Sequence, residues 1–129
     1  MVKTIVCPPE VQAGRLRKAN GFLRAADIVE PYIAEDVNLA DAYVTLCVHA
    51  GIAASDVSCC ARRQLHSIDP DHKRAVAFLA EVDQPNSIHL DTLVSVKTQS
   101  GYTHIHATPE LCENVKTAAT ALVTAARLV

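Results

Sequence analysis

One long apolar segment constrains the fold more than any other part of the sequence. It runs from Asn38 to Ala61, NLADAYVTLCVHAGIAASDVSCCA, contains no proline and places apolar side chains on two faces of a helix. A helix that is apolar on nearly every side has to be covered by other helices of the chain or by a partner. The segment therefore predicts a buried central helix.

The polar residues of this segment fall on one narrow strip. Asp41, His49 and Asp56 recur there at helical spacing. We interpret them as structural groups whose hydrogen bonds fix the register of the helix, and the alternative is a buried acid/base group centred on His49. Gly51 and Ser55 are small, so they leave room for another backbone to come close.

The rest of the chain predicts an all-α, single-domain bundle of about five helices. Residues 1–10 are expected to be an N-terminal extended segment, because Pro8 and Pro9 exclude helix until after them, and residues 11–129 are expected to form the bundle. Half of the residues are hydrophobic but only 4% are aromatic, which suits closely packed helices better than a sheet. Short strands are left open at 4–7 and 104–106, but each is too short to build a sheet.

Capping signals predict where the helices begin. The first helix is expected at about 11–29 and the central one at about 38–65. Asp69 followed by Pro70 predicts a third helix from about residue 70, and Pro85 is expected to separate it from a fourth helix capped by residue 86 or 87. Gly101 is expected to end that fourth helix. Thr108 and Pro109 then predict the start of a fifth helix.

Charge and cysteine usage narrow the class of protein. A net charge of -2 gives no global attraction to nucleic acid or membrane. The five cysteines are an odd number and three of them, Cys47, Cys59 and Cys60, lie on the central helix, so we expect buried free thiols and no disulfide framework. The first residues do not resemble a signal sequence. We therefore expect a cytoplasmic protein without membrane contact.

Two groups of metal-ligating residue types are present, and neither predicts a metal site. Cys59 and Cys60 precede His66 and His72, but adjacent cysteines on a helix point about 100° apart and the spacing fits no common zinc module. His104 and His106 are separated by one residue, so both side chains could face the same side of an extended segment, and we interpret them as surface loop histidines. No glycine-rich phosphate loop or GxSxG motif is present. We therefore expect no metal and no cofactor.

Three runs of the sequence carry a resemblance to a known family. They are AYVTLCVHAGIAASDVSCCAR, DHKRAVAFLAEV and HLDTLVSVKTQSGYTHIHATPELCENVKTAATALVTAAR. In their order and spacing they resemble the HEPN superfamily of small helical-bundle proteins, and in particular an actinobacterial group within it. The resemblance covers the chain from about Gly14 to the C-terminus. It implies a helical bundle that usually dimerises.

The resemblance also implies a candidate catalytic site. Many HEPN proteins are metal-independent ribonucleases whose motif is an Arg, often followed by Asn, then four to six residues and a His at the two-fold interface. That motif falls on Lys97 and His104 in KTQSGYTH, with Tyr102 between them. Lys97 supplies a positive charge but not the planar bidentate fork of an arginine. The candidate site is therefore degenerate.

These observations leave three functions open. We expect a HEPN-like protein that is a non-catalytic binding or regulatory member, as in a toxin–antitoxin or defence system. The first alternative is a metal-independent endoribonuclease toxin that uses Lys97, Tyr102 and His104 on RNA, with Arg62 and Arg63 as phosphate-binding residues. The second is a structural or interaction protein. The resemblance implies a homodimer and a nucleotidyltransferase-type antitoxin as partners, and the apolar central helix favours the dimer.

Overall fold

The computed structural model describes residues 1–100 and 104–129, and of residues 98–100 only the backbone. Within these residues the chain forms a bundle of five α-helices with a two-stranded antiparallel sheet, which confirms the predicted all-α bundle. A short 3-10 turn joins the first two helices. The elements are β1 (Thr4–Val6), α1 (Pro9–Val29), α2 (Asn38–Arg63), β2 (Leu65–Ser67), α3 (His72–Ala80), α4 (Gln84–Ser100) and α5 (Pro109–Arg127).

α2 is the core of the bundle, as predicted. It has 26 residues, and α1, α4 and α5 pack around it. Gly51 is buried, and a Cβ atom at this position would overlap Leu93 of α4 and lie 3.1 Å from Leu122 of α5. The small residues of α2 therefore serve packing within one chain. Since the chain itself covers α2, this helix no longer argues for a homodimer, which stays a prediction from the resemblance.

α2 is also long and apolar enough to cross a membrane by length and composition alone. However, 72% of its most apolar 18-residue window is buried inside the bundle. This burial is consistent with the core helix of a soluble protein.

The predicted start of α3 is wrong by two residues. Asp71, not Asp69, is the N-cap, and its side chain accepts a hydrogen bond from the backbone N–H of Lys73 at 3.0 Å. Asp69 accepts the backbone N–H of Asp71 at 2.8 Å and that of Lys3 at 2.9 Å. It therefore ties the N-terminal segment to the loop before α3.

The helices α1, α4 and α5 show how proline acts at a helix start. α1 begins at Pro9, two residues earlier than predicted, and α4 begins at Gln84, so Pro85 does not break the chain there as predicted. A proline in the first turn costs no hydrogen bond, because the N–H groups of that turn have no partner within the helix. The start of α5 agrees with the prediction, since Thr108 accepts the N–H of Leu111 at 3.1 Å.

The expectation that the run at 4–7 is too short to build a sheet is wrong, because β1 pairs with β2, a strand that the sequence does not predict. α2 ends at Gln64, whose left-handed conformation (φ 54°) turns the chain back along β1. The register pairs Thr4 with Ser67, Ile5 with His66 and Val6 with Leu65. This pairing fixes β2 beside the end of α2.

One disulfide bond corrects the expectation of free thiols on the central helix, because Cys60 is not free. Cys7 follows β1 and is bonded to Cys60 in the last turn of α2, with the two Cα atoms 5.4 Å apart. Cys47, Cys59 and Cys112 are free and buried, as an apolar core permits. The odd number of cysteines excludes pairing of all five but not a single bond. Cys7 lies beside the end of α2, where its N–H donates to the carbonyl of Gln64.

Candidate functional site

Five elements of the bundle surround one polar cleft of about 280 Å³. Its floor is apolar and includes Ile52 of α2 and Val94 of α4. We call this site the polar cleft, and its ionisable residues are Arg15 (α1), Asp56 (α2), His66 (β2), Asp69, His72 (α3) and Lys97 (α4).

Helical and strand geometry bring these side chains together. Ile52 and Asp56 lie one turn apart on α2, and Val94 and Lys97 lie one turn apart on α4, so each pair shares a helix face. His66 reaches the cleft only because the turn after α2 directs β2 back across the bundle. The site therefore depends on tertiary packing rather than on one local motif.

An ion pair between Arg15 and Asp56 crosses the cleft from α1 to α2. The Nε and Nη2 atoms of Arg15 lie 3.0 and 2.5 Å from Oδ2 of Asp56. Burial raises the pKa of the Asp56 carboxyl, while the Arg15 guanidinium and His66 act in the opposite direction. Asp56 thus holds the Arg15 side chain in a fixed orientation.

Asp69 is a buried carboxylate whose partners all belong to the protein. The side chain is 1% exposed, and Arg74 lies 3.7 Å away in addition to the two backbone donors of Lys3 and Asp71. These hydrogen bonds lower the pKa of Asp69, so its charged form is stabilised. Asp69 therefore stabilises the wall of the cleft and is not available to a ligand.

Three other groups in the polar cleft have unused hydrogen-bonding capacity. Within the described part of the chain, the side chains of Lys97 and His72 make no hydrogen bond or ion pair with the protein. His66 uses Nδ1 toward the carbonyl of Ser67 at 3.2 Å, which leaves Nε2 for another partner. An ammonium and two imidazoles beside a fixed guanidinium can bind an anion, and an imidazole can also transfer a proton.

Of the described residues of the predicted catalytic motif, Lys97 alone lines the polar cleft. Lys97 lines the polar cleft, whereas His104 is exposed on the segment before α5 and does not line it. Tyr102 lies outside the described residues. Pairing of Lys97 with His104 across two subunits remains a prediction.

The two predicted phosphate-binding arginines also lie away from the polar cleft. Arg63 donates to Glu81 at 2.9 Å and its guanidinium lies 5.5 Å from the centre of the Phe78 ring. Arg62 borders a separate hollow of about 190 Å³ beside the C-terminus. Neither arginine is among the residues that line the polar cleft with Lys97.

The polar strip of α2 serves three separate contacts. Asp41 accepts the backbone N–H of Ala107 and contacts Nδ1 of His106, both at 2.9 Å, and these contacts lower the pKa of its carboxyl. His49 is exposed and stacks on Phe22 with ring centres 5.3 Å apart. Asp56 belongs to the polar cleft. These contacts do not join the three residues into one acid/base group.

Sequence reasoning missed three residues of the site. The sequence does not single out Arg15, and it indicates His66 and His72 only as members of a group that fits no common zinc module. In the part of the chain that the structure describes, no group of three or more Cys, His, Asp or Glu side chains is arranged to hold a metal. No signal in the sequence brings these three residues together with Lys97.

Comparison with known proteins identifies no similar protein. No protein-family model matches the chain, and neither a curated protein nor a solved structure does so. The site therefore has to be argued from its own geometry.

Proposed function

We propose that this chain is a HEPN-like, non-catalytic binding protein whose polar cleft holds the phosphate group of its ligand. The observation that supports this function is the presence of Lys97 and two imidazoles, without protein partners for Lys97 and His72, beside an arginine that is already oriented. In a cleft of about 280 Å³ there is room for a phosphate and a small attached group, but not for a folded segment.

The balance of charge in the polar cleft favours an anion over a cation. Asp56 neutralises Arg15, and Asp69 is bound by backbone N–H groups and by Arg74, so the charge of Lys97 is left without a counterion. A phosphate oxygen next to Lys97 would supply that counterion and accept a hydrogen bond from His72. His66 donates its Nδ1–H to Ser67, so its Nε2 would donate to the phosphate only when both ring nitrogens are protonated. RNA is the phosphate-bearing ligand that the HEPN resemblance implies.

Titration of isotopically labelled protein with inorganic phosphate, and then with short single-stranded RNA, tests this function by NMR. We expect the largest shift changes at residues around the polar cleft. Lys97→Gln should weaken binding about tenfold, since a hydrogen bond to a charged group is worth about 1.5–3 kcal/mol. Lys18→Gln, on the exposed surface of α1, is the matched control and should change little. Equal losses in the two variants, or no shift with either ligand, would contradict the proposal.

A second candidate function, metal-independent RNA cleavage, has one observation in its favour. His66 and His72 share the polar cleft with Lys97, so a general base and a cation are both present there. If the cleft cleaves RNA, His66→Ala or His72→Ala should lower the rate in EDTA by about 10²–10⁴-fold, whereas His104→Ala should not. The opposite result would favour the motif at a two-fold interface. No cleavage above background would leave the binding function.

We also propose, from the sequence alone, a cytoplasmic location. The resemblance further supports a homodimer and a nucleotidyltransferase-type partner in a toxin–antitoxin or defence system. Light scattering at tens of micromolar protein tests for the homodimer, and a purely monomeric mass would contradict it. Co-expression with the product of the neighbouring gene tests for the nucleotidyltransferase-type partner, which should co-purify as an intact complex.

A further inference from the structure

A continuous set of contacts links the disulfide bond to one wall of the polar cleft. Cys7 is bonded to Cys60 and donates its N–H to the carbonyl of Gln64 at 2.8 Å. The preceding strand, β1, pairs with β2, which carries His66 into the cleft. The position of β1 therefore determines the position of β2.

The strand pairing and the side chains of β1 contribute little to holding it in place. The pairing covers three residues on each strand, and Ile5 and Val6 are 48% and 68% exposed, so their side chains bury little apolar surface. Such a short two-stranded pair is not stable on its own. The disulfide bond therefore acts together with the backbone hydrogen bonds of Lys3 and Cys7, and with the start of α1 at Pro9, in restraining the N-terminal segment.

The wall of the cleft depends on β1 in turn. Among the described residues β2 has no strand partner except β1. Lys3, just before β1, donates its N–H to the buried carboxylate of Asp69, and its carbonyl accepts the N–H of Ile68 at 2.9 Å. Loss of β1 would leave the carboxylate of Asp69 without one of its donors and leave His66 on an unpaired strand.

We infer that the Cys7–Cys60 disulfide is a redox switch for the polar cleft, which binds its anion in the oxidised state and loses affinity in the reduced state. This inference rests on the proposed function for its ligand. A cytoplasmic location would suit a reversible bond, because disulfides in that compartment are usually transient.

The chemistry of the switch is ordinary thiol–disulfide exchange. A thiolate of a small dithiol attacks one sulfur of the Cys7–Cys60 bond, forms a mixed disulfide with it and releases the other cysteine as a thiolate. The second thiolate of the dithiol then attacks the mixed disulfide and releases the remaining cysteine. The protein gains two electrons and two protons, and the dithiol becomes a disulfide. Cys7 and Cys60 are 4% and 2% exposed, so the dithiol reaches them only when β1 opens locally. An oxidised dithiol reverses the reaction.

Amide hydrogen exchange and phosphate titration, on oxidised and dithiothreitol-reduced protein, test the switch. We expect reduction to accelerate exchange of the β2 amides and to weaken phosphate binding about tenfold, the effect of losing one charge-assisted contact. Reoxidation should restore both. Cys7→Ser should behave as the reduced parent and no longer respond to dithiothreitol. Cys112→Ser, which alters a free buried thiol, should respond as the parent does.

The two readouts separate the switch from the proposed function. If reduction leaves hydrogen exchange of the β2 amides unchanged, the inference is overturned, even where phosphate binds. This comparison needs only the oxidised and reduced parent, so it can be made even if Cys7→Ser does not fold. Faster exchange with no phosphate binding in either state overturns the proposed function and supports redox control of the wall.

Discussion

Gly51 illustrates how one residue determines the packing of α2. Its buried position faces both α4 and α5, and a methyl group there would overlap the side chain of Leu93. Since Leu93 is fully buried, it has no free space into which to move. Glycine is needed here for close approach and not for an unusual backbone conformation.

Gly51→Ala should therefore lower the free energy of unfolding by about 1–3 kcal/mol through overpacking. Gly21→Ala is the matched control, because Gly21 lies in α1 with no atom near the added methyl group. That change should raise the free energy of unfolding by about 0.5–1 kcal/mol through helix propensity. Urea unfolding at pH 7 measures both. Equal effects of the two substitutions would contradict the packing argument.

Asp69 should make stability depend on pH at the residue scale. Its pKa is lowered chiefly by the backbone N–H groups of Lys3 and Asp71, so the ionised form stabilises the folded state above the ordinary aspartate pKa of about 3.9. That contribution is lost as the pH falls through the lower pKa of the folded protein. Asp69→Asn should thus be less stable than the parent at pH 7, and the difference should shrink below about pH 4. A constant difference in urea midpoint from pH 7 to 3 would rule this out.

At the level of elements, features that depend on residues close in sequence are predicted well, and features that depend on long-range contacts are not. The cap at Thr108 was foreseen because all of its atoms lie within four residues. Asp69 and Asp71 both fit the local pattern of a cap, but Asp71 caps α3, while Asp69 accepts the N–H of Asp71 and the distant N–H of Lys3. β2 was missed for the same reason, since a three-residue strand exists only through its partner β1.

The candidate site follows the same rule. Lys97 was singled out because a motif with local spacing contains it, whereas Arg15, His66 and His72 lie on three other elements. The resemblance pairs His104 with Lys97, and within one chain His104 lies on the exposed segment before α5 and does not line the cleft. Helical periodicity predicts which face of an element is buried, yet not which faces meet around a cleft.

The cap of α5 can be tested by one substitution. Thr108→Ala removes the acceptor of the Leu111 N–H and should lower the free energy of unfolding by about 1 kcal/mol. Thr117→Ala, at an exposed position within the same helix, should have no such cost because alanine is the better helix former. Thermal or urea unfolding compares the two variants. A larger loss at Thr117 than at Thr108 would argue against the cap.

At the scale of the whole molecule, the disulfide restricts the unfolded chain. It joins cysteines 53 residues apart, and the loop-entropy model gives about 4 kcal/mol for a loop of this length. We expect reduction of the parent to lower the free energy of unfolding by about 2–4 kcal/mol. Urea unfolding with and without dithiothreitol measures the effect, and a Cys7→Ser/Cys60→Ser double variant should show none. An equal response of that variant to dithiothreitol would mean that the reagent acts elsewhere.

The central position of α2 has a consequence for biosynthesis. α2 is complete at Arg63, but α4 and α5, which cover it, end only at Ser100 and Arg127. At about 5–20 residues per second, a ribosome needs roughly 3–13 seconds to make the chain from the end of α2 to the end of α5. During that time the nascent chain carries a helix as apolar as a membrane span, covered first by α1 alone and, until α5 is made, by α1 and α4 at most. A nascent or truncated chain lacking α5 is therefore expected to be a substrate for chaperones and proteases.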